Sequence, residues 1–211
     1  QIIDLIKNCL NNNDYLMIKG SNSTGLNSLT NQIKTGKINV VYIGAITPGF
    51  IPVISAFFKE LKSQHIELKK YHFYFLGTSY VKVETKGLIQ KLAEELELKD
   101  FITELQDRLG YFSSLATLKK ADILFIPGSI DLHYNASKVY NAIVSKTPIF
   151  SIFSSSSEVK KIIEFSNAGE VISFENVPNS RLQKFLIDRF QQIFELFFVH
   201  LKNNQVNFLA N

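Results

Sequence analysis

The sequence has a single cysteine, Cys9, among its 211 residues. One thiol has no partner for an internal disulfide bond or for a cysteine-based metal site, so we expect a reducing compartment, the cytoplasm. Long hydrophobic runs are also missing, since no uninterrupted apolar stretch reaches the roughly 18 residues that span a bilayer. No signal-peptide pattern is visible either. These absences speak against a small secreted domain that disulfides hold together.

A large excess of positive or negative charge is missing as well. The formal net charge is +4, and the lysines are spread along the chain apart from pairs such as Lys119-Lys120. Such pairs are typical of solvated helix faces, whereas a nucleic-acid-binding protein has a denser basic stripe. The sequence therefore predicts no nucleic-acid partner, while the mild positive charge stays compatible with a phosphate-rich ligand.

Established catalytic signatures are missing too. The sequence contains no Walker loop, no Gly-x-Ser-x-Gly elbow, no His-Glu-x-x-His pair and no cluster of metal ligands. The glycine-containing loop at 44–49 also departs from the dinucleotide pattern Gly-x-Gly-x-x-Gly. We therefore predict no metal site.

From residue 38 onward the chain is a regular alternation of apolar strands and amphipathic helices. The strands are solidly apolar, as a sheet buried on both faces requires. Predicted strands cover 38–43, 71–76, 108–110, 121–126, 148–153 and 170–174. Predicted helices cover 50–62, 87–97, 113–120, 136–146 and 156–167, the last capped by the serines 154–157, with a shorter helix near 100–105. This order predicts an α/β fold, a Rossmann-like parallel sheet with helices on both faces.

Two flanking segments differ from this alternation. We interpret residues 1–37 as a linker and the remnant of a preceding N-terminal domain, and residues 38–177 as the Rossmann-like domain. Residues 178–211 carry the apolar stripe of one long helix, which is too long for a crossover and is expected to pack back towards the N-terminal side. Because the chain opens directly on an amphipathic pattern without a methionine, we expect an excised part of a longer protein.

Ligands of open parallel sheets bind beyond the carboxyl ends of the strands, so the loops there are the first candidates. In the loop at 44–49, Gly44 lets the backbone approach a ligand and Thr47 precedes a helix, although a plain strand-to-helix turn has the same pattern. Gly77 and Thr78 follow the second strand. The threonine hydroxyl suits a phosphate or a sugar, and equally the backbone of its own loop.

A further candidate is the helix start at Ser137-Lys138. A serine hydroxyl, free amides and a lysine at this position suit a diphosphate, whereas the alternative is a capping serine with a solvated lysine. His133 lies in the same loop, where a lone histidine is more often structural, and Asp131 is typical of a turn. The residue patterns alone predict a Rossmann-like domain with a phosphate site and go no further.

Four local signatures follow one another in a fixed order. They are a strand ending at Gly44 with its helix, a strand ending at Gly77 with its helix, the run 108–127, and the run 137–149. Together they resemble the C-terminal domain of family 4 glycosyltransferases, which have the two-domain GT-B fold. The resemblance covers residues 38–175, about two thirds of the chain.

The resemblance implies that this domain binds the nucleotide of a sugar donor. Ser137 and Lys138 match the helix start that receives the diphosphate, and Asn141 matches a position facing the ribose. It implies neither metal nor cofactor, because helix-start amides and cations neutralise the diphosphate, and it implies retention of anomeric configuration. The positions expected to contact the nucleotide sugar are Gly44, Thr47, Gly77, Thr78, Gly110, Tyr111, His133, Ser137, Lys138 and Asn141.

The chain departs from the family's pattern at charged positions. Thr47, Pro48 and Gly49 carry no charge, where the family often has an arginine and a lysine in or after the first loop. His133 and Asn141 stand where the family often has two glutamates. The nucleotide base and the sugar therefore stay open at this point.

The resemblance predicts the donor half of a glycosyltransferase, with an acceptor-binding domain preceding it in the same protein. It also implies proximity of the full-length enzyme to a membrane surface. Alone, the chain is predicted to bind nucleotide and to transfer no sugar. Two alternatives stay open: a sugar-nucleotide epimerase of similar fold, which needs catalytic carboxylates and a histidine, and a non-catalytic binding or scaffold module, which the missing charges favour.

Overall fold

A computed structural model describes residues 36–63, 68–81, 85–131 and 134–175. They contain a six-stranded sheet in the order β3-β2-β1-β4-β5-β6, and every pair of neighbours is parallel. The strands are β1 (Ile38–Ile43), β2 (Tyr71–Leu76), β3 (Ile102–Leu105), β4 (Ile123–Pro127), β5 (Ile149–Ser154) and β6 (Gly169–Phe174). The predicted α/β class and parallel sheet are confirmed.

Helices cover both faces of this sheet, as predicted. Side chains of α1 and α2 belong to one apolar cluster, and those of α3, α4 and α5 belong to a second cluster on the opposite face. In the described residues the α-helices are α1 (Ile51–Ser63), α2 (Leu88–Glu95), α3 (Tyr111–Lys120), α4 (Val139–Ser145) and α5 (Glu158–Phe165).

The solidly apolar strands follow from this two-sided burial. Successive side chains of a strand point to opposite faces, so Val40 and Tyr42 of β1 enter the first cluster while Val41 enters the second. All residues of β2 are buried. A strand between two layers of helices therefore needs an apolar residue at nearly every position.

Aromatic packing fixes α1 across the centre of the sheet. The ring of Phe57 in α1 stacks on Phe125 of β4 with centroids 4.7 Å apart. It also lies 5.7 Å from the rings of Phe73 in β2 and Phe150 in β5. One helix thus contacts strands on both sides of β1.

The order of the strands reverses between β1 and β4. From β1 the chain proceeds to β2 and β3 on one side, and later to β4, β5 and β6 on the other. The connections leave in opposite directions at this point and open a crevice beyond the carboxyl ends of the strands, where such folds bind ligands. The loops that follow β1 and β4 form this crevice.

Two predictions around residue 105 are wrong. The segment near 100–105 is strand β3 rather than a short helix, and Arg108–Gly110 is a loop rather than a strand. β3 pairs with β2 from Ile102 opposite Phe73 to Leu105 opposite Leu76. Only Ile102 of β3 is buried, and its other residues are half-buried, so its sequence lacks the apolar run that marks the inner strands.

The remaining boundaries agree with the predictions to within a few residues. α4 begins at Val139, three residues later than predicted. The predicted serine cap is confirmed at Ser157, whose Oγ accepts a hydrogen bond from the Val159 amide at 3.2 Å. The predicted long helix at 178–211, and residues 1–35 of the predicted linker, lie outside the described residues.

Candidate functional site

The crevice at the strand reversal is closed on one side by a contact between its two loops. The Ile130 amide, after β4, donates a hydrogen bond to the Gly49 carbonyl, after β1, at 3.0 Å. Two cavities lie beside this contact, and we call them the larger and the smaller cavity. The loops after β1 and β4 contribute to the walls of both.

The larger cavity has a volume of about 360 Å³. Its walls combine apolar side chains of β1, β4 and α3 with a few polar groups. Among the residues predicted from the sequence, those lining it are Gly44, Gly77, Tyr111, Lys138 and Asn141. The strand reversal therefore brings together residues that lie almost one hundred positions apart in the chain.

The smaller cavity has a volume of about 300 Å³ and a more polar lining. The predicted residues Thr47 and Ser137 line it, together with Ser129, Asp131 and Asn135. Four further residues, Tyr42, Tyr134, Ala136 and Lys138, line both cavities. Lys138 thus lies at the wall that the two cavities share.

Lys138 and Arg108 bring two positive charges to this crevice. Partial burial and, secondarily, the Arg108 guanidinium lower the pKa of the Lys138 ammonium group. Arg108 lines the larger cavity, and its guanidinium lies 5.2 Å from the centroid of the Tyr80 ring. Within the described part of the chain, neither cation forms an ion pair with a carboxylate. The crevice therefore presents positive charge that a bound anion would compensate.

The first loop uses part of its backbone for the fold. The Gly44 amide donates to the Leu76 carbonyl at 2.9 Å, and the Ile46 amide donates to the Thr78 carbonyl at 2.8 Å. These bonds continue the pairing of β1 with β2 beyond the strand ends. These two amides are thus engaged within the fold, so a bound anion would be neutralised mainly by the two cations.

Gly44 is required by its neighbours rather than by its backbone angles. A methyl group at Gly44 would collide with the Tyr42 hydroxyl and would lie 3.0 Å from Lys138 Nζ. The Tyr42 hydroxyl donates a hydrogen bond to the Ala45 carbonyl at 2.9 Å. The buried Tyr42 hydroxyl and the Lys138 ammonium group therefore both lie close to Gly44 in the first loop.

Three predicted site residues lie elsewhere or outside the description. The buried Thr78 hydroxyl donates to Glu104 Oε1 at 2.6 Å, and Glu104 Oε2 accepts the Gln90 amide at 2.8 Å in the first turn of α2. Thr78 thereby supports a helix start, and it lines neither cavity. Gly110 caps α3 through its carbonyl, next to Tyr111 and outside both linings. His133 lies outside the described residues.

The described residues contain no group of histidine, cysteine, aspartate and glutamate side chains that could hold a metal ion. In the same part of the chain, no helix is both long enough and apolar enough to cross a membrane.

Solved structures with the same architecture are glycosyltransferases and related enzymes. WaaG, a glycosyltransferase involved in lipopolysaccharide biosynthesis, matches 88% of this chain with a TM-score of 0.53 and 19% identity. This chain has the fold of one half of a GT-B glycosyltransferase. Sucrose-phosphate synthase from Thermosynechococcus elongatus matches 80% of the chain with a TM-score of 0.52 and 14% identity. Anabaena HepE, solved in complex with UDP-glucose, matches 90% with a TM-score of 0.51 and 12% identity.

The match extends over only part of each neighbour. This chain covers 46% of WaaG, 39% of the sucrose-phosphate synthase and 53% of HepE, so it spans about half of their length or less. No protein-family model and no curated protein sequence matches the chain. At these identities the likeness concerns the fold, and the function has to be argued from the crevice.

Proposed function

We propose that this chain is the donor-binding domain of a GT-B glycosyltransferase, the C-terminal half of the family 4 type, and that it binds a nucleoside diphosphate sugar. The observation that carries the proposal is the pair of cations, Lys138 and Arg108, that line the larger cavity without a carboxylate partner in the described chain. A diphosphate supplies the compensating negative charge and accepts charge-assisted hydrogen bonds from both groups.

The larger cavity, Lys138 and the smaller cavity follow one another in the same order as the nucleoside, the diphosphate and the sugar of such a ligand. The larger cavity, with its apolar walls, Tyr111 and Asn141, suits a nucleoside, whose base stacks and whose ribose forms hydrogen bonds. The smaller cavity, with its hydroxyl, amide and carboxylate groups, suits a sugar. Lys138 stands at the shared wall, where the diphosphate would join the two halves.

The same cations would assist the reaction. When the bond between the sugar and the diphosphate breaks, negative charge develops on the leaving oxygen, and positioned cations stabilise that charge. Lys138 and Arg108 would supply this stabilisation without a metal ion. Retention of anomeric configuration belongs to the proposal through the family resemblance alone.

Exposed apolar side chains around the cavities support the proposal that another domain covers them. They occur in the loop after β2, at the start of α3 and after β4, and they are Tyr80, Val81, Tyr111, Phe112 and Ile130. Exposed apolar groups around a polar cleft are typical of a surface that meets another protein surface. We propose that an acceptor-binding domain lies there, and that this chain binds donor but transfers no sugar alone.

Calorimetric titration of the 211-residue chain with UDP, GDP and ADP, and with the three matching nucleosides, tests the proposal. We expect one diphosphate to bind at least tenfold more tightly than its nucleoside, because only the diphosphate brings negative charge to the two cations. Failure of all three diphosphates to bind at millimolar concentration would contradict donor binding and favour a non-catalytic module.

The lowered pKa of Lys138 predicts how this affinity depends on pH. Phosphate binds the protonated ammonium group, so affinity is lost as the pH rises through the pKa of Lys138. Because that pKa is lowered, the loss begins at a lower pH than for an ordinary lysine, whose pKa is about 10.4. The measurement is the dissociation constant of the preferred diphosphate between pH 7 and pH 10.

The matched control for the pH experiment is Lys138→Arg, because a guanidinium stays protonated throughout this range. The affinity of this variant should change little with pH. Parallel losses in the two proteins would show that another group governs the pH dependence.

A further inference from the structure

Tyr42 is an uncharged residue of the crevice that contributes to the walls of both cavities. It is the next-to-last residue of β1, it lines both cavities, and it is buried. Burial, with smaller contributions from Tyr134 and Tyr80, raises the pKa of its hydroxyl, which therefore stays protonated and acts as a hydrogen-bond donor.

The hydroxyl of Tyr42 holds the first loop in place. It donates its proton to the Ala45 carbonyl at 2.9 Å, across the turn that follows β1. The neighbouring amides of Gly44 and Ile46 are fixed to the end of β2 and to its loop at 2.9 Å and 2.8 Å. The Ala45 carbonyl is thus engaged by the buried hydroxyl.

The same hydroxyl limits the space that is open to the lysine. Tyr42 Oη and Lys138 Nζ both approach the point where a side chain at residue 44 would begin. The tyrosine cannot withdraw from this point easily, because its ring packs against Phe75 with centroids 5.9 Å apart. The tyrosine hydroxyl and the lysine ammonium group therefore lie close to the same point above the loop.

We propose that Tyr42 is a positioning residue, whose hydroxyl orients the first loop and the Lys138 ammonium group for the diphosphate of the donor. The inference rests on the proposed function, since it assigns a role within the same site. It differs from that proposal in naming an uncharged side chain that contributes through the loop and the lysine.

The test compares Tyr42→Phe with the wild-type chain, since this change keeps the ring and removes only the hydroxyl. Affinity for the preferred one of UDP, GDP and ADP should fall about fivefold to tenfold, because the ligand then has to order the loop and the lysine itself, at a cost comparable to one hydrogen bond. Affinity for the matching nucleoside should change less than twofold, because the nucleoside lacks the diphosphate that the loop and the lysine are proposed to hold. Tyr140→Phe, on the exposed side of α4, is the matched control.

A second measurement separates positioning from general destabilisation. Gly44→Ala should weaken diphosphate binding strongly in the wild-type chain and somewhat less in the Tyr42→Phe background, because the closest collision of the new methyl group, with the hydroxyl, is gone and only the one with the ring carbon Cζ at 2.8 Å is left. Additive losses would overturn the proposal, and so would equal losses of nucleoside and diphosphate affinity in Tyr42→Phe. If the wild-type chain binds none of the diphosphates, the proposed function fails first.

Discussion

Replacing Lys138 with glutamate is expected to weaken diphosphate binding by about 100-fold or more. The change removes one charge-assisted contact, worth about 1.5–3 kcal/mol, and adds a carboxylate that repels the phosphates. Arg108 alone would then face the ligand together with an opposing charge. Calorimetry with UDP, GDP and ADP measures the loss, and a fall in wild-type affinity with added salt identifies its electrostatic part.

The matched control for this prediction is Lys119→Glu. Lys119 is exposed in the last turn of α3, which leads to the amino end of β4, whereas the crevice lies beyond the carboxyl ends of the strands. The control changes the net charge by the same amount, so its affinity should stay within about threefold of the wild type. Equal losses in both variants would mean that net charge, and not a site at Lys138, governs binding.

The inner strands could be predicted from the sequence almost to the residue. The predicted bounds of β1 and β2 agree with the structure, because each strand is an almost continuous apolar run, with one polar residue, stopped by a glycine. In a chain of alternating strands and helices, such a run indicates a strand between two layers of helices, since only that kind of strand needs apolar side chains on both faces. The reversal of strand order at β1 depends on which strands pair with β1, and no local sequence pattern encodes that choice.

The edge strand β3 could not be predicted in the same way. Its residues, Ile102 to Leu105, include a threonine and a glutamate, and it pairs with one neighbouring strand only. Leu109, by contrast, is apolar because it packs against the second apolar cluster from a loop. Apolar character alone cannot distinguish a residue that pairs from one that only packs.

This error in the strand assignment concealed a member of the candidate site. The prediction of a strand over 108–110 places Arg108 inside that strand, whereas the structure places it in the loop after β3. The correct assignment would have placed it beside Gly77 and Tyr111, where a cation is a natural candidate. The role of Thr78 was beyond sequence reasoning for another reason, because its partner Glu104 lies on β3 and is brought to it only by the sheet.

Replacing Phe57 with alanine is expected to lower the free energy of unfolding by about 3–5 kcal/mol. The ring is 1% exposed and contacts aromatic rings of β2, β4 and β5. Its removal leaves a cavity that these strands cannot fill, because they are fixed by their pairing in the sheet. Urea or guanidinium unfolding of the 211-residue chain, followed by circular dichroism, measures the change.

Phe165→Ala is the matched control, since it deletes the same atoms from a ring that is 94% exposed at the end of α5. Its unfolding free energy should stay within about 0.5 kcal/mol of the wild type. The two variants together separate burial from residue type.

Because Phe57 lies under the strand reversal, its loss should also loosen the loops after β1 and β4, so diphosphate affinity should fall in Phe57→Ala even under conditions where the chain is fully folded. Unchanged affinity would show that the crevice keeps its shape independently of the core beneath it.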